Sequence, residues 1–101
     1  MYTLTAPENF LRQARKFLNK HPDQKPRLTL VLTDLQQDPF QAELGLHPLA
    51  GKLAGCHAAR LTYSYRITII LLIGDQEISL LDIGSHDGVY RLLRKNKIRG
   101  T

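Results

Sequence analysis

Apolar positions in the first third of the chain recur at helical spacing. Phe10, Leu11, Ala14, Phe17 and Leu18 fall at i, i+1, i+4, i+7 and i+8, with Arg12, Gln13, Arg15 and Lys16 between them. This spacing predicts an amphipathic helix with one buried stripe. Pro7 suits its first turn, and Asn19-Lys20-His21-Pro22 ends it, because proline cannot continue a helix. Ahead of it, Tyr2 to Thr5 alternates and reads as a short edge strand. The next stretch, Lys25 to Gln37, fits two periods. Leu28, Val31, Leu32 and Leu35 match a helix, and Leu28, Leu30 and Leu32 match a strand. Pro26 in a first turn and Asp38-Pro39 as a stop favour the helix.

The pattern changes after residue 38. Residues 38–56 hold two of the five prolines and three of the seven glycines, and read as a loop with Leu44, Leu46, Leu49 and Leu53 packed beneath it. Three strands are expected next: Ala59 to Tyr63, the β-branched run Tyr65 to Ile73, and Glu77 to Ile83 after a tight turn at Gly74-Asp75-Gln76. Val89, Leu92 and Leu93 then return to helical spacing before a basic tail. The order of elements implies an α+β fold. A small antiparallel-rich sheet of about four strands carries two N-terminal helices on one face and a short basic C-terminal helix. The opposite face is expected to be partly open, rimmed by the loop and the terminal helix.

A chain of 101 residues suits a single domain, here residues 1–101, with one modest core. The formal net charge of +5 is unevenly placed: five of the fourteen cations, and no acid, fall between Gly88 and Thr101. Elsewhere nine cations face nine acids, so the excess charge marks a surface for polyanions or a solvated basic tail. The lone Cys56 excludes an internal disulfide and fits a reducing compartment. No secretion signal is visible, and the apolar run Ile67 to Ile73 is too short to span a bilayer. A cytoplasmic protein without membrane contact is expected.

His47, His57 and His86 lack the spacing of a zinc site, and no acid cluster, glycine-rich phosphate loop or Ser/His/Asp elbow appears. No cofactor, metal or small-molecule partner is expected. There remains the chemistry that imidazoles and guanidiniums perform unaided. RNA carries its own nucleophile, the 2′-hydroxyl, beside the phosphorus it attacks. A protein need only take that proton, protonate the departing 5′-oxygen and stabilise charge at phosphorus. Histidine suits both transfers and arginine suits the third task. His47, a histidine before proline, either joins that chemistry or simply bonds the loop backbone. Arg60 lies by alternation on the face opposite Leu61 and Tyr63. Arg66 either binds phosphate or pairs with Asp82 across the hairpin, pairing being favoured. Tyr90 either contacts a base or packs at a helix start, and Asp87 suits a helix N-cap.

The chain resembles toxins of the RelE/ParE superfamily, most of all the YafQ-like mRNA interferase branch. The matching residues are His47-Pro48-Leu49-Ala50-Gly51, Gly55 leading into Ala59-Arg60-Leu61, Tyr65-Arg66-Ile67, and Ile83-Gly84-Ser85-His86 through Val89-Tyr90. The resemblance implies a RelE-like fold and a ribosome-dependent, metal-independent endoribonuclease, with a cognate antitoxin, mRNA and ribosomal RNA as partners. By position it implies catalytic roles for His86, His47, Arg60 and Tyr90, and RNA contacts from Lys52, Tyr65, Arg66, Arg91, Arg94 and Lys95. Ser64 stands where that branch has an aspartate, and Arg60 where it has a histidine; Asp87 could substitute for the aspartate, or its role could be dispensed with. Two other readings fit the same elements: a ParE-like gyrase inhibitor that cuts nothing, and an inactive RelE-like binding domain.

Overall fold

The computed structural model describes residues 1–85, so the expected helix around Val89, Leu92 and Leu93 and the basic tail lie outside the described residues. The elements are β1 (Thr3–Thr5), α1 (Glu8–Lys20), α2 (Lys25–Gln37), β2 (His47–Pro48), β3 (Cys56–Arg60), β4 (Tyr65–Leu72) and β5 (Glu77–Ser85). Single 3₁₀ turns at Pro22–Gln24, Ala42–Leu44 and Gly51–Leu53 join them. The sheet order is β1-β5-β4-β3-β2; β1 runs parallel to β5 and the other neighbours are antiparallel. The sheet therefore has five strands where about four were expected. The extra one is His47–Pro48, two loop residues that pair with Ala58 and His57.

Both helices cover one face of the sheet. Phe10 and Phe17 of α1 and Leu28, Val31 and Leu35 of α2 form one cluster with Leu44, Ala59, Leu61, Ile67, Ile69, Ile78, Leu80 and Ile83. The helical period of Lys25 to Gln37 thus wins over the strand reading because it buries three side chains on one side. In α1 the stripe is narrower than expected, and Leu11 is exposed. Along β5 the inward residues Ile78, Leu80 and Ile83 break strict alternation by one place. A bulge absorbs the extra residue: Thr68 opposes Asp82, but Ile69 opposes Leu80. Asn9 of α1 donates from Nδ2 to the Leu81 carbonyl at 3.3 Å, satisfying the bulge.

The β3–β4 connection differs most from expectation. The strand expected at Ala59 to Tyr63 begins earlier, at Cys56, and stops at Arg60. The Leu61 and Thr62 N–H groups both donate to the Tyr65 carbonyl, at 3.0 and 3.1 Å. The Thr62 hydroxyl accepts from the Ser64 and Tyr65 N–H groups at 3.3 and 3.1 Å. These bonds close a tight turn, so Leu61 is buried while Tyr63, expected on the same face, stands 99% exposed. Arg27 of α2 fixes the turn from below, donating from Nε to the Leu61 carbonyl at 2.8 Å. No helix among the described residues is long and apolar enough to cross a membrane.

Ile67 is wholly buried at the centre of β4, between β3 and β5. Ile67→Ala is expected to cost about 2–5 kcal/mol, read as a lowered urea midpoint in unfolding. A midpoint within error of wild type would show that this face is not the core.

Candidate functional site

Cross-strand partners share a face of the sheet, so the register assigns the site. Ala59 pairs with Ile67, and both face the helices. Ala58 and Arg60 therefore face the other way, as do their partners Thr68 and Arg66, and beyond these Asp82 and Gly84. His47 opposes Ala58 and joins them. One row across this face reads His47, Ala58, Thr68, Asp82, and the next reads Arg60, Arg66, Gly84.

Arg60 and Arg66 oppose each other directly. Because the Leu61 N–H bonds to the Tyr65 carbonyl, the alternation of the ladder makes Arg60–Arg66 a non-hydrogen-bonded pair. Such pairs bring Cα atoms to about 4.5 Å and side chains closest. Like charges so placed oppose folding unless something neutralises them. Among the described residues no carboxylate pairs with either; the only ion pair is Arg15–Glu8 on α1. The expected Arg66–Asp82 pair does not form. Arg66 opposes Gly84, and Asp82 lies two residues along, opposite Thr68.

Gly45 ties Arg60 to His47. It adopts a left-handed conformation, φ +54, as the cap of the Ala42–Leu44 turn. A Cβ there would stand 3.3 Å from Arg60 Nη2, so the guanidinium rests against the bare glycine. The Gly45 carbonyl lies 3.0 Å from His47 Nδ1. A carbonyl only accepts, so Nδ1 carries the proton, and in the neutral ring Nε2 keeps the free lone pair. His47 thus bonds the loop backbone, one of the two roles weighed for it, through Nδ1, and its side chain is exposed.

The remaining residues read from the sequence fall elsewhere. Tyr65, named among the RNA contacts, lies on the helix face, opposite the one that carries Arg60 and Arg66. Its ring packs edge-on against Phe17 and His21, with centroids at 5.0 and 5.2 Å, and its hydroxyl lies 3.2 Å from His21 Nε2. A shallow cavity of about 150 Å³ beside it is lined by Gln13, Lys16, Phe17, Lys20, Tyr65 and Ile83, on the wrong side of the sheet to join His47. Lys52 is exposed in the turn that closes β2–β3, beyond the Cys56 end of β3 and away from Arg60. His86, Tyr90, Arg91, Arg94 and Lys95 lie outside the described residues. The strand that leads to them ends at Ser85, which opposes Tyr65, one pair beyond Arg66–Gly84. No three metal-binding side chains cluster among the described residues.

Asp82 was not singled out as a site residue. Burial raises its carboxyl pKa above the ordinary 3.8, with a hydrogen bond from the Ile83 backbone acting the other way. Its Oδ1 is buried without a hydrogen-bond partner among the described residues. The one signal in the sequence is a lone acid within the apolar run Leu80-Leu81-Asp82-Ile83.

No protein-family model matches the sequence, and no curated protein matches it. Solved structures do. YafQ from E. coli superposes with a TM-score of 0.73 at 17% identity over 89% of this chain and 99% of its own. YafQ is also known in a DinJ–YafQ complex, which superposes at 0.71. A copper-bound mutant toxin from Helicobacter pylori gives 0.71 at 24% identity, over 88% of this chain and 99% of that one. A YoeB/ParE toxin from Agrobacterium tumefaciens gives 0.69 at 15% identity, over 83% and 98%. The fold is therefore the one these toxins share, the RelE-like fold that the resemblance implied.

Because the folded pKa of Asp82 lies above the unfolded one, the folded state binds this proton more readily. Ionised Asp82 thus costs stability above its folded pKa, and the cost disappears below about pH 3.8. Asp82→Asn is expected to raise Tm at pH 7 by roughly a few degrees, with the gain shrinking as pH falls towards 4. A Tm difference that stays constant or grows on acidification would contradict the burial of this carboxyl.

Proposed function

We propose that this chain is the toxin of a type II toxin–antitoxin pair, an mRNA interferase that cleaves mRNA on the ribosome using the RNA's own 2′-hydroxyl. The observation that carries this reading is the Arg60–Arg66 pair. Two arginines opposed across neighbouring strands, without an ion-pair partner among the described residues, lie at the same end of the sheet as a histidine that bonds the backbone through Nδ1 and leaves Nε2 without a partner among those residues. An RNA backbone supplies what that arrangement lacks: two non-bridging phosphate oxygens sharing a negative charge for the arginines, and a 2′-hydroxyl proton for the imidazole.

His47 Nε2 takes the 2′-hydroxyl proton, and the O2′–P bond forms. Arg60 and Arg66 hold the phosphoryl oxygens as charge builds at phosphorus. The P–O5′ bond breaks, and His86, which follows Ser85 at the end of β5, protonates the departing oxygen. The products are a 2′,3′-cyclic phosphate and a 5′-hydroxyl. Tyr90 contacts a base near the cut. Lys52, Arg91, Arg94 and Lys95 meet ribosomal RNA phosphates as a group, a contribution that falls steeply with salt. A cognate antitoxin silences the toxin, a partner suggested by the DinJ–YafQ complex. The work is placed in the cytoplasm, where translating ribosomes are.

His86→Ala and His47→Ala are each expected to lower mRNA cleavage on translating ribosomes by roughly 100-fold or more and to abolish growth arrest, with unchanged circular dichroism. Undiminished toxicity in His86→Ala would remove the assignment. Inhibition of gyrase without mRNA cleavage by the wild-type chain would move it to the ParE-like reading.

A further inference from the structure

We propose that Tyr63 is a substrate-contacting residue that stacks on a nucleobase of the RNA whose phosphate rests on Arg60 and Arg66. The inference deepens the nuclease reading and rests on it. Tyr63 is 99% exposed, more than any other large apolar side chain among the described residues. Its position is imposed by bonding: the Thr62 hydroxyl and the Tyr65 carbonyl together close the turn that presents it. An aromatic ring held in water on a pinned turn gains nothing from the fold.

Its neighbours say what it serves. Tyr63 stands three residues from Arg60 and three from Arg66, so no more than about 10 Å of chain separates it from either. Cations that hold the backbone beside an aromatic that receives a base is the arrangement by which proteins bind single-stranded nucleic acid. Tyr65, the neighbouring aromatic expected among the RNA contacts, packs against Phe17 and His21 on the other face. A protein partner is the weaker choice, because an aromatic anchor for a protein sits at the centre of a patch that becomes dry. Tyr63 instead projects alone from a turn whose other tip residue, Ser64, is also exposed.

The chain has no tryptophan, so Tyr63→Trp introduces a single indole reporter at the tip. Its emission is expected to be quenched by a short single-stranded RNA made uncleavable with 2′-O-methyl groups. Tyr63→Ala is expected to lower kcat/KM for mRNA cleavage on translating ribosomes by roughly 5- to 150-fold, the equivalent of the 1–3 kcal/mol typical of a base–aromatic stack. Tyr63→Phe, which keeps the ring, should retain most of the activity, and antitoxin binding should be unchanged in all three variants. Wild-type cleavage matched by Tyr63→Ala, with an unquenched indole, would overturn the inference and leave the nuclease reading standing. Loss of activity in Tyr63→Phe as well would assign the effect to the hydroxyl and overturn stacking. Weakened antitoxin binding with normal cleavage would reassign the residue to a protein partner. Absence of cleavage by the wild-type chain would overturn the underlying reading itself.

Discussion

The pairing of β3 with β4 sets Arg60 opposite Arg66, and the rest of the site is arranged around that placement. Arg60 opposes Arg66 because Ala59 opposes Ile67, and those two are held together by the core on the helix side. Neither arginine can slip by one place without moving apolar neighbours into water. Among the described residues, the buried apolar pair thus sets two arginines opposite each other on the outer face with no carboxylate between them.

The two faces of the sheet divide the work. Towards the helices, Phe17, His21 and Tyr65 pack ring against ring and complete the core around β4. Away from them, the same strands present His47, Arg60, Arg66 and Asp82. Gly45 serves this second face in three ways: its left-handed backbone ends a turn, its carbonyl fixes the His47 tautomer, and its missing side chain leaves room for the Arg60 guanidinium. A larger residue there would be strained and would push the guanidinium aside, coupling a backbone requirement to the geometry of the site.

Much of this was legible in the residues, and the failures have physical causes. The α2 helix appears over Lys25–Gln37 as its caps predict, because proline and leucine positions agree on one period. The facing of Arg60 followed from strand alternation. The pairing of His47–Pro48 was not legible, since two residues carry no period and their partners, Ala58 and His57, lie across a loop. The strand at Cys56 was hidden because Cys56-His57-Ala58-Ala59 has little β-propensity, whereas Tyr63 has much and was drawn into a strand it does not join. Which of Tyr63 and Tyr65 faces outward depends on the turn that Thr62 closes. The Arg66–Asp82 pairing failed through register: the spacing of Ile78, Leu80 and Ile83 records the bulge, but locating its partner needs the opposite strand.

A double-mutant cycle on folding stability, with Arg60→Gln, Arg66→Gln and the double variant measured in low salt, probes the opposed charges most directly. The expected result is a repulsive coupling of about 0.2–1 kcal/mol that fades with added salt and disappears when inorganic phosphate is bound. A coupling of zero, or a favourable one, in low salt without phosphate would mean that the two opposed arginines do not act on each other as like charges, and the site built on them would fall.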